Sequence, residues 1–282
     1  MAEPRVAVAY SGGRDSTALL HATVAVAAGC GVEVIALHVH HGLSPQADRW
    51  LAHCAARCRR WQALGVPLAF DYRRLATRPA RGDSVEAWAR RERHAALAEM
   101  AQSAGATLLL LAQHRLDQAE TFLLQALRGA GPAGLAAMPV QALRGGIVWA
   151  RPWLDVPRGA IDAYLRAHRL RHVDDDSNAD TRFARNRLRH DVWPALARAV
   201  PHADAAFADA ARRAADAGQC AAELAAIDLA VVAGDDGLDL AAWQALGAAR
   251  RRNALRAWLA RQTATAVPAA LVERLAAELP QV

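Results

Sequence analysis

Ser11-Gly12-Gly13-Arg14-Asp15-Ser16 follows the apolar run Val6-Ala7-Val8-Ala9-Tyr10 and opens onto Thr17-Ala18-Leu19-Leu20-His21. The order reads as a strand, a glycine turn and a helix start. Two glycines let the backbone turn sharply and approach a ligand closely. Ser11, Ser16 and the free N–H groups of the helix start all offer hydrogen bonds to an anion, and phosphate is the natural guest. A Walker loop would place Gly-Lys-Ser/Thr here so that the lysine reaches the terminal phosphates. The chain contains no lysine. For two glycines alone, a plain turn between strand and helix is the competing explanation.

Ser-Gly-Gly-x-Asp-Ser directly after a first strand is more specific, and it resembles the PP-loop of the N-type ATP pyrophosphatases. The resemblance implies a loop, Ser11, Gly12, Gly13, Arg14, Asp15 and Ser16, that grips the pyrophosphate end of ATP while the α-phosphate is attacked. The products would be pyrophosphate and an adenylated substrate.

The 282 residues allow one large domain plus a smaller one. With 54% hydrophobic and 22% charged residues, a net charge of +6 and a pI near 9.9, the chain suits a soluble protein that meets a polyanion. All 34 basic residues are arginine. Coding bias accounts for that, and so does bidentate phosphate gripping. The start lacks a basic segment followed by a long apolar core, and no apolar run is long enough to span a bilayer. Neither secretion nor a membrane partner is therefore expected. Cys30, Cys54, Cys58 and Cys220 are too few and scattered for a disulfide framework, so a reducing cytoplasm is expected. Cys54 and Cys58 share a helical face without forming a Cys-x-x-Cys, and two ordinary thiols is the better reading.

Val32 to Val39 is a β-branched run of the kind buried in a parallel sheet, and it ends in His38-Val39-His40-His41. Three histidines so close invite a zinc reading, which is the weaker of the two. At the carboxyl end of a strand, contact with a nucleotide is the better assignment, made here for His38. Residues 46–64 have helical spacing and 66–72 read as a third strand. Asp83-Ser84-Val85-Glu86 has the capping-box arrangement before a helix carrying Arg90, Arg91 and Arg93, whose bland reading is a solvated charged face. Residues 106–111 form a fourth strand that delivers His114, Asp117 and Glu120. The two acids lie three apart on one helical face near the carboxyl edge of the sheet. Acids are common in a first helical turn because of the helix dipole. The position argues for function, because the loops after strands one, two and four converge at the topological switch of such a sheet.

Leu127-Arg128-Gly129-Ala130-Gly131, Gly134-Leu135-Ala136-Ala137-Met138, Arg151-Pro152-Trp153-Leu154, Asp174 to Asn178 and Arg185-Asn186-Arg187-Leu188-Arg189 follow in order. With the preceding motifs they resemble the tRNA(Ile)-lysidine synthase family over about residues 6 to 195. The resemblance implies an α/β fold, a doubly wound and mostly parallel sheet, in a catalytic domain over 1–195. A smaller all-α domain over 196–282 would contact tRNA. It implies ligation of free L-lysine to C2 of the wobble cytidine of a CAU-anticodon isoleucine tRNA, with ATP cleaved to AMP and pyrophosphate. Asp117 and Glu120 would hold the lysine ammonium and one would take its proton, His114 would reach the nucleotide, and Asp15 would ligate Mg²⁺. Arg128, Arg185, Asn186 and Arg189 would contact tRNA. A tRNA thiolase working through the same adenylate and an inert nucleotide- or RNA-binding relative are the rival readings.

Three residues depart from the family pattern: Leu116 stands where an aspartate is common, Gln113 where a histidine is, and Asp176 where a proline is. The further C-terminal domain of longer members is expected to be absent, and a homodimer is compatible with the sequence. Arg250, Arg251, Arg252, Arg256 and Arg261 gather on one late helix, either as a solvated face or as a contact to phosphates.

Overall fold

A computed structural model describes residues 4–80, 82, 84–173, 180–234, 237–263 and 267–279. Asp83 and Asp174 to Asn178, singled out above, lie outside the described residues. The chain divides into two compact units, one of Met1–Gly129 with Ala137–Ala211 and the other of Ala130–Ala136 with Arg212–Val282.

The first unit alternates β1 (Arg5–Ala9), α1 (Arg14–Ala27), β2 (Glu33–His40), α2 (Ala47–Ala63), β3 (Leu68–Arg74), α3 (Val85–Ser103), β4 (Leu108–Leu110) and α4 (Arg115–Ala126). After the short α5 (Pro132–Leu135) come β5 (Gln141–Arg144), β6 (Ile147–Ala150) and α6 (Arg158–Ala167). The sheet order is β3-β2-β1-β4-β6-β5, parallel except for β5. This is the expected doubly wound sheet, and its order reverses between β1 and β4.

The inner stretches of the central strands, Val6 to Ala9, Val34 to Leu37 and Leu108 to Leu110, are apolar because both faces are covered. Val8, Val34 and Ala36 pack with Leu19, Leu20, Cys54, Cys58 and Trp61 under α1 and α2. The alternate residues Ala7, Ile35, Leu37 and Leu109 pack with Leu97, Met100 and Ala101 of α3. Cys54 and Cys58 are fully buried, and burial pushes both thiols up to about 12. They are ordinary core residues.

Three local details differ from the sequence reading. Helix α3 is capped by Ser84, whose hydroxyl accepts from the Ala87 N–H at 3.3 Å. The sheet gains the β5–β6 hairpin, turned by Gly145 and Gly146 at φ +56° and +76°, the double left-handed geometry of a tight hairpin. The first unit also reaches Ala211, because the long helix beginning there is tied back to α4. Arg115 Nε donates to Asp204 at 2.7 Å, and Phe207 stacks on Phe122 at 5.6 Å.

Before that helix come α7 (Ala184–Arg187), a π-helical turn over Leu188–Val192 and α8 (Trp193–Ala199). The long helix is α9 (Ala203–Val232). The second unit contains most of α9, a small ribbon of β7 (Ala233–Gly234) and β8 (Gly237–Leu238), then α10 (Leu240–Ala245), α11 (Ala248–Gln262) and α12 (Ala269–Glu278). Leu229, Val232, Trp243, Leu255 and Val272 form its core. On α11, Arg250 is paired with buried Asp228, Arg252 Nε lies 3.6 Å from Glu273, and the Arg251 guanidinium sits 5.7 Å from the Trp243 ring. Three of the five arginines gathered on this helix are thus held within their own unit. Among the described residues, no helix is long and apolar enough to cross a membrane.

Candidate nucleotide and carboxylate site

The loop after β1 is built around Gly12. Its φ of +85° favours glycine, and a Cβ placed there would meet Cys54 Sγ at 2.7 Å and Val173 Cγ2 at 3.2 Å. The Gly12 carbonyl accepts from Val173 N–H at 3.0 Å and from Thr17 Oγ1 at 3.2 Å. Gly13 caps α1 without a side-chain bond to its first N–H groups. Ser16 Oγ donates to the Gly13 carbonyl at 3.0 Å and lies 3.0 Å from Ser11 Oγ, while Ser11 Oγ accepts from Gly13 N–H at 3.3 Å. A helix N-terminus with free amides, ringed by two hydroxyls, is the electrostatic form of an anion site.

The neighbouring loops close on it. His38 is 5% exposed, and its Nδ1 lies 2.9 Å from the Tyr10 carbonyl, which ties the end of β2 to the start of the loop. Burial first, and then His40 and His41, lower its pKa to about 4 despite that hydrogen bond. His38 is therefore neutral at pH 7. Between about pH 6.5 and 4 the unfolded chain takes up a proton that the folded chain refuses, so stability falls as pH falls through this window. The expected slope is about 1.4 kcal/mol per pH unit from this residue. Urea melts at pH 7 and pH 5 check it, and His38→Gln is expected to remove that part of the difference.

Beyond β4, His114 is 2% exposed at the N-cap of α4. Its Nε2 lies 3.9 Å from Asp15 and 3.6 Å from Asp117. Asp117 also accepts from the His114 backbone N–H at 3.1 Å, so this acid both caps the helix and faces the site. Glu120, one turn on, is completely buried. Arg189 donates to its two oxygens at 2.7 Å each and to Asp117 Oδ1 at 3.1 Å. Arg185 Nε stands 3.3 Å from Glu120, and its terminal nitrogen donates to the Asp117 carbonyl at 3.2 Å and to Thr121 Oγ1. Burial alone would lower Arg189, but the hydrogen bonds and charges of Glu120 and Asp117 outweigh it and hold the guanidinium above its ordinary value. The π-helical turn carries Arg189 and α7 carries Arg185, four residues apart, so both reach one carboxylate.

The first unit thus brings Asp15, His114, Asp117, Glu120, Arg185 and Arg189 together. Asn186 Nδ2 donates to the Asp180 carbonyl at 2.9 Å and anchors the segment leading into α7. Arg128 lies exposed in the turn after α4, away from the carboxylates' hydrogen bonds. Leu116, by contrast, is 9% exposed and packed inward, so that position offers no ligand. For Mg²⁺ the donor set fits in part: Asp15 presents a partly exposed carboxylate beside the loop, and such an ion needs only one or two carboxylates alongside phosphate oxygens.

Two charged residues of α6 also belong here. Arg14 Nε lies 3.4 Å from Asp162 and 3.1 Å from Asp15. Burial and then Arg14 lower Arg158, against the pull of Asp15 and Asp162. No motif announces either residue, because their partners lie far away in sequence. An open cleft of about 470 Å³ starts at Arg14 and Asp162 and runs past Arg166, Arg169 and Arg171.

Residues 1–196 match the PP-loop domain family, and residues 238–281 match the TilS substrate binding domain. A tRNA(Ile)-lysidine synthase of Ralstonia nicotianae is 50% identical over 281 residues, covering 98% of this chain and 59% of that protein. The Burkholderia mallei protein of the same name is 49% identical over 280 residues, with 98% and 55% covered. That of Polaromonas naphthalenivorans is 44% identical over 268 residues, with 95% and 79% covered. The chain spans less than two thirds of the length of the first two. Among solved structures, the U34-tRNA thiolase NcsA from Methanococcus maripaludis superposes with a TM-score of 0.64 at 12% identity, over 76% of this chain and 72% of that one, which speaks for the fold. Loop, carboxylate pair and switch point all lie within the segments these relatives share, and the chain belongs to the PP-loop family of tRNA(Ile)-lysidine synthases.

Proposed function

We propose that the protein ligates free L-lysine to C2 of the wobble cytidine of a CAU-anticodon isoleucine tRNA. The observation that carries this reading is a pair of acids, Asp117 and Glu120, beside a phosphate loop, joined to it through His114 and Asp15. The C2 oxygen of cytosine is a very poor leaving group. Attack of that oxygen on the α-phosphate of ATP releases pyrophosphate and turns it into AMP, a good one. The lysine side-chain amine then adds to C2 and AMP departs, giving lysidine. Ser11, Ser16 and the free amides at the start of α1 would bind the pyrophosphate, and Arg14 and Arg158 would offset its charge. Asp15 would hold a Mg²⁺ ion, which neutralises developing phosphate charge. His38, neutral and buried, would border the nucleotide.

Asp117 and Glu120 would receive the ammonium group, and one of them would accept the proton that frees the amine. Because Arg189 occupies both carboxylates, the incoming ammonium must share or displace it. Arg128, Arg185, Asn186 and Arg189 would guide the tRNA, with the 1–195 region catalytic and 196–282 contacting tRNA. The place of work is the cytoplasm. A thiolase reading is less favoured, since Cys54 and Cys58 are buried and their thiols stay protonated. An inert relative is disfavoured by the assembled Asp15, Asp117 and Glu120.

The test is incubation with ATP, Mg²⁺, radiolabelled lysine and an isoleucine-tRNA transcript bearing CAU, beside a methionine-tRNA control. Stable label on the isoleucine tRNA alone is expected. Release of pyrophosphate on adding tRNA, without label, would keep the adenylation step and reject lysine as the substrate.

A further inference from the structure

Helix α3 and the β5–β6 hairpin bring a histidine and an arginine to one aromatic ring. Trp149 is buried, with the His94 ring 5.1 Å away on one side and the Arg144 guanidinium 5.9 Å from its centroid. Arg90, four residues before His94 on α3, shares its helical face, and the charges of both Arg90 and Arg93 act on His94. Arg151, at the end of β6, is 3% exposed. One terminal nitrogen donates to the Pro139 carbonyl at 2.9 Å, while its buried Nε has no partner. Arg90, Arg93 and Arg144 reach solvent.

Among the described residues, little counter-charge acts on this face. The other acids of α3 are engaged elsewhere, Glu92 with Arg91 and Glu99 with Arg73. Among the groups acting on Arg90 and Arg151, Glu86 is the one acid. Withdrawal from solvent comes first in lowering Arg151 to about 10, and Arg144 and Arg90 lower it further. His94 is lowered to about 4 by burial and by all four arginines, so it stays neutral and adds no charge at pH 7. A fold that keeps four guanidiniums near one another with Glu86 as the one described acid acting on them sacrifices stability unless an anion completes the site. The patch is also near the carboxylate site, since Arg185, which stands 3.3 Å from Glu120, is close enough for its charge to act on Arg90.

We propose that Arg90, Arg93 and Arg144, with buried Arg151 adding its charge behind them, form a phosphodiester-binding face that holds the RNA backbone near the carboxylate site. This rests on the reading of the protein as an RNA-modifying enzyme. A folded RNA presents a row of phosphates at a spacing that several arginines can meet at once. The affinity such contacts supply is independent of sequence and falls steeply with salt.

The full chain is tested as Arg90→Gln/Arg144→Gln beside Arg59→Gln/Arg60→Gln, a control that removes equal charge from the exposed side of α2. Binding of the CAU isoleucine-tRNA transcript is measured from 0.05 to 0.3 M salt, with ATP affinity and the thermal midpoint measured in parallel. The patch variant is expected to bind tRNA about 30-fold more weakly near 0.15 M salt, with the log–log salt slope reduced by about 2. Its ATP affinity is expected to match the control, and its thermal midpoint to equal or exceed the control's, because two mutually repelling charges are gone. The proposal is overturned if patch and control variants bind tRNA alike, or if ATP affinity falls while tRNA affinity holds. Wild-type protein that binds tRNA through the patch yet never incorporates lysine would leave this proposal standing and reject the lysine reading. Wild-type protein that binds no tRNA would reject both.

Discussion

Glu120→Ala is expected to destabilise the first unit by about 3–5 kcal/mol, one of the two largest effects anticipated for a single substitution in this protein. The carboxylate is completely buried and receives two 2.7 Å hydrogen bonds from Arg189, with Arg185 Nε 3.3 Å away. Removing it leaves two guanidiniums withdrawn from water, with Asp117 as the remaining acid, and uncompensated buried charge is what makes breaking such a pair costly. For a unit of this size the thermal midpoint should drop by about 6–20 °C. Glu120→Gln keeps the volume and one acceptor and should lose less. The double replacement Glu120→Leu/Arg189→Met should recover much of the loss, because it removes both charges together. Urea melts of the four proteins decide the matter. A loss below about 1 kcal/mol for Glu120→Ala would mean that the pair behaves like a hydrated surface bridge. Asp117→Asn should cost less than Glu120→Ala, since Asp117 is partly exposed and an amide oxygen can still accept the His114 N–H.

The second large effect concerns Gly12→Ala. A Cβ at this position would sit 2.7 Å from Cys54 Sγ and 3.2 Å from Val173 Cγ2, in a backbone conformation at φ +85° that strains any L side chain. The helix under Cys54 is core, so the loop has to yield. A shift of about 1 Å in groups that align phosphates is worth about 100-fold in rate. On the proposed function, tRNA-dependent pyrophosphate release should therefore fall by at least about 100-fold. The strain should also cost about 1–2 kcal/mol of stability. Cys54→Ala introduced alongside should relieve the sulfur overlap and restore part of the rate, while the left-handed strain and the Val173 contact persist. No recovery in the double variant would place the damage in backbone conformation alone.

Much of this protein was legible in its residues. The inner stretches of β1, β2 and β4, Val6 to Ala9, Val34 to Leu37 and Leu108 to Leu110, are apolar without alternation, the pattern of strands covered on both faces. The glycine pair after β1 announces its turn because few other residues adopt that geometry. The three-residue spacing of Asp117 and Glu120 puts them on one helical face wherever the helix lies. These are short-range facts, set by backbone periods of two and 3.6 residues. The β5–β6 hairpin was harder to see, although Gly145-Gly146 between two four-residue strands is a local signal for it.

Other features were decided by tertiary structure alone. Arg185 and Arg189 could be picked out as basic residues in a motif, but their placement on Glu120 depends on a π-helical turn and on a partner 69 residues away. Arg158 and Asp162 join the phosphate loop only because α6 packs Ile161 and Leu165 against Ala18 of α1. Arg90 and Arg93 look in the sequence like solvated charge, and only the pairing of β6 with β4 and the packing of α3 on Trp149 bring their helix beside Arg144 and Arg151. Residue type and spacing determine which groups are available and which way a local element turns them. Which charges share a buried volume depends on long-range packing, and there the cost of an unpaired charge selects the partner.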